Sequence, residues 1–338
     1  MKGRTTIYDI AKKLGITAAT VSRALNGHSR ISDATKKLVF ETAREMNYEP
    51  NKLALALKKG KSNTIGIIVP YINRNFFSSV IRGIEEELWP KGYHVIISQT
   101  HEAEEREKQA INNLINAQVE GIIISVSKST KNIGHLDQVL KKNIPLIFFD
   151  RSLDLQGASS VTVDDFQGSY DATQHLIDQG CKRIAHLTLG RELRIYDNRF
   201  KGYRQALGDN GIAFDKNLVI TLKSDIEEGK LAAKKLMAQD SPPDAIFSST
   251  DYGALGVIKW LTHNGYKVPK DVCVVGFSNE PFTQFMELSI SSVDQNPLEM
   301  GKTAANVFLE QIRETTVKIE KKVILSPNLL IRDSSIRK

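Results

Sequence analysis

Predominantly apolar runs of strand length recur from residue 64 onward, and most are separated by helix-length stretches with apolar residues every three or four positions. The runs cover residues 65–69, 94–98, 121–125, 145–149, 160–163, 183–187, 245–248 and 272–277. The helical stretches include residues 77–89, 104–117, 168–179, 199–210, 227–238 and 254–264. Buried strands that alternate with helices form parallel sheets covered on both faces. An α/β fold is therefore predicted. The segment from residue 64 onward is longer than one such sheet usually needs, so two doubly wound subdomains with a cleft between them are expected.

The first 63 residues follow a different pattern and carry the excess positive charge. Residues 1–48 are predicted to form short helices without strands, and the proline at position 50 marks a boundary. Residues 51–59 form a further helix candidate before a polar break. The segment has 13 Lys and Arg against 5 Asp and Glu, in a chain of net charge +7. Such a local excess is typical of a module that faces a polyanion, although a solvated basic face would look the same.

Spacing near the N-terminus predicts a helix-turn-helix. Ala11 and Gly15 stand four apart, as a close helix crossing followed by a tight turn requires. Thr6 with Asp9 fits a capping box for the first helix, and Thr17 is placed to cap the second. The shared core would consist of Ile10, Leu14 and Val21.

The outward face of the second helix suits a DNA groove. Arg23 can donate two hydrogen bonds to one guanine edge, and Ala18 and Ala19 offer methyl contacts to thymine. Side chains that can reach phosphates are Thr17, Thr20, Ser22 and Asn26. An ordinary pair of packed helices remains the alternative.

Several other classes of protein are disfavoured. The apolar stretches are strand-sized, well short of the roughly 20 residues of a membrane helix. No apolar signal segment follows Met1, so a cytoplasmic, nucleoid-associated protein is expected. Cys181 and Cys273 belong to no C-x-x-C motif and are interpreted as reduced thiols.

Catalysis is not expected. The chain has no G-x-G-x-x-G, G-x-S-x-G or H-E-x-x-H motif, and Leu55 stands where a phosphate-binding loop ending at Ser62 would need glycine. The acidic residues at 102–107 and 164–165 are interpreted as solvated faces. No catalytic residue, metal ligand or cofactor is predicted.

Two groups of motifs resemble the LacI/GalR family of bacterial repressors. In the head they are Ile7-Tyr8-Asp9-Ile10-Ala11, Gly15-Ile16 and Thr20-Val21-Ser22-Arg23-Ala24-Leu25-Asn26-Gly27. In the large domain they include Phe148-Phe149-Asp150-Arg151, Arg199-Phe200-Lys201-Gly202-Tyr203, Thr250-Asp251 and Val274-Val275-Gly276-Phe277. The motifs occur in the family's order, and the resemblance covers nearly the whole chain.

The resemblance implies a domain organisation and a DNA interface. Residues 1–50 would be the DNA-binding domain, 51–63 the hinge helix and linker, and 64–338 the effector-binding and dimerisation domain. This last domain would resemble a periplasmic binding protein, with crossovers near 152–163, 289–295 and 325–331. A homodimer or dimer of dimers would place two heads on a pseudo-palindromic operator, with Leu57 wedged into the minor groove. The implied DNA-contacting residues are Thr6, Ile7, Tyr8, Thr17, Ala18, Ala19, Thr20, Ser22, Arg23, Asn26, Arg30, Asn51 and Leu57.

The same resemblance implies an effector site in the cleft. Its residues would be Asn73, Arg74, Phe76, Phe77, Asp150, Arg151, Arg199, Thr250, Asp251, Ser278 and Gln295. Ser278 stands where many members carry the aspartate that grips sugar hydroxyls. This difference, with the three arginines Arg74, Arg151 and Arg199, motivates the hypothesis that the effector is an acidic or phosphorylated sugar.

The predicted function is that of a sequence-specific DNA-binding transcriptional regulator. It would repress carbohydrate-utilisation genes, with a small sugar-like effector controlling its operator affinity allosterically. A ligand-dependent activator is an alternative that the sequence leaves open. A solute-binding protein is a second alternative, but it predicts a signal peptide and leaves the head unexplained.

Overall fold

A computed structural model describes residues 5–49, 62–223, 225–313 and 320–337. The chain divides into two compact units, Met1–Ser62 and Asn63–Lys338. Nowhere in the described ranges is a helix both long and apolar enough to cross a membrane.

The described part of the first unit is helical, as predicted. It contains α1 (Ile7–Leu14), α2 (Ala18–Leu25) and α3 (Asp33–Glu45). The N–H of Thr6 donates to the Asp9 carboxylate at 2.8 Å, and the N–H of Thr20 donates to Thr17 Oγ1 at 3.1 Å, which confirms both caps. Gly15 ends α1 at φ 65°, a left-handed conformation that glycine adopts without steric cost. The buried core consists of Ile10, Ala11, Val21, Ala24, Val39 and Ala43.

The second unit begins with a parallel six-stranded sheet. In chain order its strands are β1 (Thr64–Val69), β2 (His94–Gln99), β3 (Gly121–Ile124), β4 (Leu146–Phe149), β5 (Ser159–Val163) and β11 (Lys322–Leu325). Their spatial order is β11-β5-β4-β3-β1-β2, and every pairing is parallel. The helices of this subdomain are α4 (Asn75–Leu88), α5 (Glu104–Asn116), α6 (Gly134–Lys141) and α12 (Pro297–Arg313), with a 3-10 turn at Trp89–Lys91.

The second subdomain repeats this plan. Its strands are β6 (Ile184–Thr188), β7 (Val219–Thr221), β8 (Ala245–Ser248), β9 (Cys273–Phe277), β10 (Ser291–Asp294) and β12 (Asn328–Leu330). The order is β12-β10-β9-β8-β6-β7, parallel except for β12 against β10. The helices are α7 (Asp165–Asp178), α8 (Arg194–Asp209), α9 (Ile226–Met237), α10 (Asp251–His263) and α11 (Phe282–Phe285), with a 3-10 turn at Lys216–Leu218. The predicted fold class is confirmed.

Three passages connect the two subdomains. The chain crosses after β5 into α7, after β10 into α12, and between β11 and β12. The first crossing was predicted near 152–163. Because β5 is still hydrogen-bonded in the first sheet, the chain crosses at Asp164. All three passages lie where strands end, which is also where ligands bind in such folds.

A close helix contact brings α7 and α8 together. A Cβ atom at Gly202 would lie 2.2 Å from the backbone oxygen of Phe166 and 2.9 Å from the backbone nitrogen of Tyr170. Only glycine allows this approach, which fixes the position of the first turns of α7 and α8.

Candidate ligand cleft and nucleic-acid interface

A cavity of about 700 Å³ lies between the two subdomains and is lined by residues from both. Ten of the eleven predicted effector residues line it: Arg74, Phe76, Phe77, Asp150, Arg151, Arg199, Thr250, Asp251, Ser278 and Gln295. Asn73 does not: it lies exposed in the turn before α4, between the lining residues Tyr71 and Arg74. The prediction for Asn73 is therefore not supported by its position.

Three lining residues have positive φ: Glu102, at 62°, and two residues that directly follow strands. Asp150 follows β4 with φ 59°, and Ser278 follows β9 with φ 122°. Positive φ is unfavourable for residues with a Cβ atom and concentrates at functional sites. These conformations place both residues at strand ends on opposite walls of the cleft.

Arg151 is held by a carboxylate that the sequence analysis treated as solvated. Its Nη1 donates to both oxygens of Glu102, at 3.0 and 2.8 Å, and to the carbonyl of Val126 at 3.2 Å. The neighbouring Asp150 has weaker contacts, with Oδ2 3.4 Å from Ser125 Oγ and 3.8 Å from Arg151 Nε. Burial raises the pKa of the Asp150 carboxyl.

Arg199 is buried in a network that joins three elements. Its Nε donates to Asp165 Oδ1 at 2.7 Å, Nη1 to the Ser249 carbonyl at 2.9 Å, and Nη2 to Gln295 Oε1 at 2.9 Å. Its guanidinium carbon lies 3.7 Å from the centre of the Phe277 ring. Burial raises the pKa of Asp165 to about 6, against the opposing effect of Arg199. Arg199 therefore ties the first crossover, the second crossover and the end of β8 together.

The acidic segments are solvated only in part: Glu105 is exposed, but two of their carboxylates are not. Glu107 and Asp165 are buried. Glu107 accepts from Ser127 N at 2.7 Å and contacts His135 Nε2 at 2.8 Å, which orders the loop after β3. Acidic residues in sequence clusters look alike whether water or protein partners surround them, and here the partners lie at least 20 residues away.

Thr250 and Asp251 act mainly within their own subdomain. Thr250 Oγ1 accepts from Gly253 N at 3.2 Å and so caps α10. Asp251 accepts from Glu280 N at 2.7 Å and from Ser292 Oγ at 2.6 Å. Burial raises the pKa of Asp251 to about 6. These contacts orient the loop after β9 toward the cavity.

Two of the three arginines in the lining are already paired with carboxylates. Arg151 and Arg199 each carry a carboxylate partner, and Arg74 stacks over Tyr252 at 4.6 Å. The described lining has equal numbers of acidic and basic side chains: Glu102, Asp150, Glu192, Asp251 and Glu280 against Arg74, Lys128, Arg151, Arg199 and Lys223. This balance does not support the hypothesis of an acidic or phosphorylated effector.

The helix-turn-helix presents one face of α2 to solvent. Arg23, Ala19, Thr17 and Asn26 are exposed, and Tyr8 on α1 is 71% exposed. Ala18 departs from the prediction, because it is half-buried and packs against the head core. Thr6 and Arg30 are exposed, whereas Ile7, Thr20 and Ser22 are half-buried. Asn51 and Leu57 lie outside the described residues.

Comparison with known proteins decides the family. Residues 6–51 match the family model described as "Bacterial regulatory proteins, lacI family". Residues 62–333 match "Periplasmic binding proteins and sugar binding domain of LacI family". The chain belongs to the LacI family. It is a DNA-binding transcriptional regulator, and the predicted family membership is confirmed.

Individual relatives match this chain over most of its length. Catabolite control protein A of Priestia megaterium is 32% identical over 313 residues, which are 92% of this chain and 94% of that protein. The solved complex of the transcriptional regulator CelR with cellobiose has 26% identity and a TM-score of 0.73, covering 98% of this chain and 100% of the other. The lac repressor dimer bound to operator and the anti-inducer ONPF has a TM-score of 0.86 at 24% identity, covering 99% and 100%, and shows the shared fold.

Several cleft residues of this LacI-family regulator were missed by the sequence analysis. Among them are Tyr71, Glu102, Tyr196, Tyr252 and Glu280. Three are tyrosines, which give the lining ring surfaces from both subdomains. A positional signal existed for Tyr71, Tyr252 and Glu280, because each lies within two residues of a predicted site residue. Tyr196 and Glu102 had no such signal, since they enter the site through folding of distant segments.

Proposed function

We propose that this LacI-family regulator binds an operator through α2 and binds a neutral sugar in the cleft. The observation that carries the second part is the charge balance of the lining, in which Arg151 and Arg199 already have carboxylate partners. A ligand that adds no net charge leaves these pairs intact, while its hydroxyl groups satisfy the remaining polar atoms. The tyrosine and phenylalanine rings suit the apolar faces of a sugar ring.

The mechanism in this proposal is a shift between two arrangements of the subdomains. Ligand contacts with both walls favour one relative orientation, and the three crossovers transmit it through the second unit. The regulator binds its effector without converting it and acts on chromosomal operators in the cytoplasm. The cellobiose bound to CelR is an example of a sugar in a relative.

A panel of sugars tests the ligand class. We expect at least one neutral mono- or disaccharide to stabilise the full-length protein against thermal unfolding. At a concentration 100 times its Kd it should add about 2.7 kcal/mol to the free energy of unfolding. Sugar acids and sugar phosphates of the same skeleton should have weaker effects. Stabilisation by the anionic sugars alone would contradict the proposal.

Arg23→Ala tests the DNA interface. Because the Arg23 side chain is exposed on α2, its loss should weaken operator binding by about 1–3 kcal/mol and relax preference at one base pair. The measurement is selection of bound sequences from a random DNA pool, followed by titration of the selected site. Lys13→Ala is the matched control, since the Lys13 ammonium pairs with Glu45 at 2.8 Å. An unchanged base preference in the Arg23 variant would count against this role.

A further inference from the structure

Glu280 is a buried carboxylate that faces the cavity. It lies in the loop between β9 and α11, only 6% of its surface is exposed, and it lines the cleft. Its backbone N–H donates to Asp251, but its carboxylate oxygens accept no hydrogen bond from any residue in the described ranges. The Glu280 carboxylate can therefore accept hydrogen bonds from donors that the described residues do not supply.

The surroundings do not neutralise this carboxylate. Asp251, at the start of α10, repels it, and Arg74, at the start of α4, attracts it without forming an ion pair. Arg332 donates to Asn279 Oδ1 at 2.8 Å, to the carbonyl of Ile290 at 2.6 Å and to Thr283 Oγ1 at 3.1 Å. A buried carboxylate without donors is costly unless a ligand provides them.

We propose that Glu280 is a specificity-determining residue for the effector and that, in its ionised form, it accepts hydrogen bonds from hydroxyl groups of the sugar. This inference rests on the proposed neutral-sugar function. Ser278, where many family members carry a carboxylate, is engaged by Gln295 Nε2 at 3.3 Å. Glu280, two residues further along the chain, places a carboxylate on the same wall of the cleft.

Effector binding should therefore depend on pH. Burial, with Asp251 adding to it, raises the pKa of Glu280 to about 7. Hydroxyl donors stabilise the ionised form, so binding lowers this pKa and releases a proton. Affinity should be greatest above pH 7 and should fall by about tenfold between pH 8 and pH 6.

Calorimetry on the full-length protein tests the inference. Ribose, glucose, galactose and cellobiose are the probes, measured at pH 6, 7 and 8 for the wild type, Glu280→Gln and Glu287→Gln. Glutamine keeps the size of the side chain but loses the charge, so at pH 8 Glu280→Gln should bind the preferred sugar about tenfold more weakly or worse. It should also lose most of the pH dependence. Glu287 is exposed nearby, and its substitution should change neither property.

Thermal unfolding without sugar separates recognition from a structural role. The folded-state pKa of Glu280 is raised, so its charge opposes folding above the unfolded pKa, and Glu280→Gln should unfold at the same or a higher temperature at pH 8. A lower unfolding temperature would show that Glu280 is structural and would overturn the inference. Wild-type binding and pH dependence in Glu280→Gln would also overturn it. If no sugar binds the wild type, the proposed function fails and this inference fails with it.

Discussion

Arg199→Met is expected to abolish effector binding and to lower the free energy of unfolding by about 3–5 kcal/mol at pH 8. The side chain is 3% exposed and contacts Asp165, Ser249 and Gln295, so its removal leaves a buried carboxylate without its opposite charge. Methionine fills much of the volume and isolates the loss of charge from the loss of packing. Urea unfolding and calorimetry with the preferred sugar measure the two effects.

The pH dependence of this loss identifies its cause. Burial already raises the pKa of Asp165 to about 6, and removal of Arg199 raises it further. A raised carboxyl pKa means that the folded state binds a proton that the unfolded state releases, so the deficit should be smaller at pH 5.5 than at pH 8. The double variant Arg199→Met, Asp165→Asn should recover part of the stability. Arg204→Met, at an exposed position on the same helix, is the control. A deficit that is equal at both pH values would contradict the charge argument.

Gly202→Ala should lower the free energy of unfolding by about 3 kcal/mol. The new methyl group would meet the backbone of α7 at 2.2 Å, and backbone atoms cannot rotate away. The helices must separate, which displaces Tyr196 and Arg199 from the cleft and should weaken effector binding as well. Chemical denaturation and calorimetry measure both consequences.

Gly208→Ala supplies a matched control in the same helix. A Cβ atom at Gly208 would meet nothing within 4 Å, so alanine should stabilise α8 by about 0.5–1 kcal/mol through its higher helix propensity. If Gly202→Ala were as stable as this control, the close approach of α7 and α8 would not be essential to the site.

The central strands were predictable because each is buried on both faces. Gly121–Ile124, Leu146–Phe149 and Ala245–Ser248 are buried at every residue, and such a run is predominantly apolar. Four strands were not among the predicted runs: Val219–Thr221, Ser291–Asp294, Lys322–Leu325 and Asn328–Leu330. All are three or four residues long, and three of them lie at sheet edges, where side chains face solvent and the apolar pattern is weak. Ser291–Asp294 lies inside its sheet, but its two serines and its aspartate interrupt the apolar pattern.

Three helices begin several residues earlier in the chain than the apolar pattern predicted, and the extra turns contribute to the ligand site. The apolar pattern began at 168, 199 and 254, whereas α7, α8 and α10 begin at Asp165, Arg194 and Asp251. The first turns of α8 and α10 contribute Tyr196, Asp251 and Tyr252 to the cleft, whereas Asp165 in α7 contacts the lining residue Arg199. Polar residues there serve the ligand site, so they interrupt the periodicity on which the prediction depended.

By itself, the amino-acid sequence determined the succession of strands and helices, the helix-turn-helix with its caps, and membership of the LacI family. These follow from local spacing, because burial of one helical face or of a whole strand imposes a pattern on neighbouring residues. Only the tertiary structure decided which charges are paired. Arg199 meets Asp165 and Gln295 across 34 and 96 residues, and Arg151 meets Glu102 across 49. A charged residue looks the same in sequence whether water or a distant partner compensates it, so the electrostatics of the cleft emerged only when the crossovers brought those segments together.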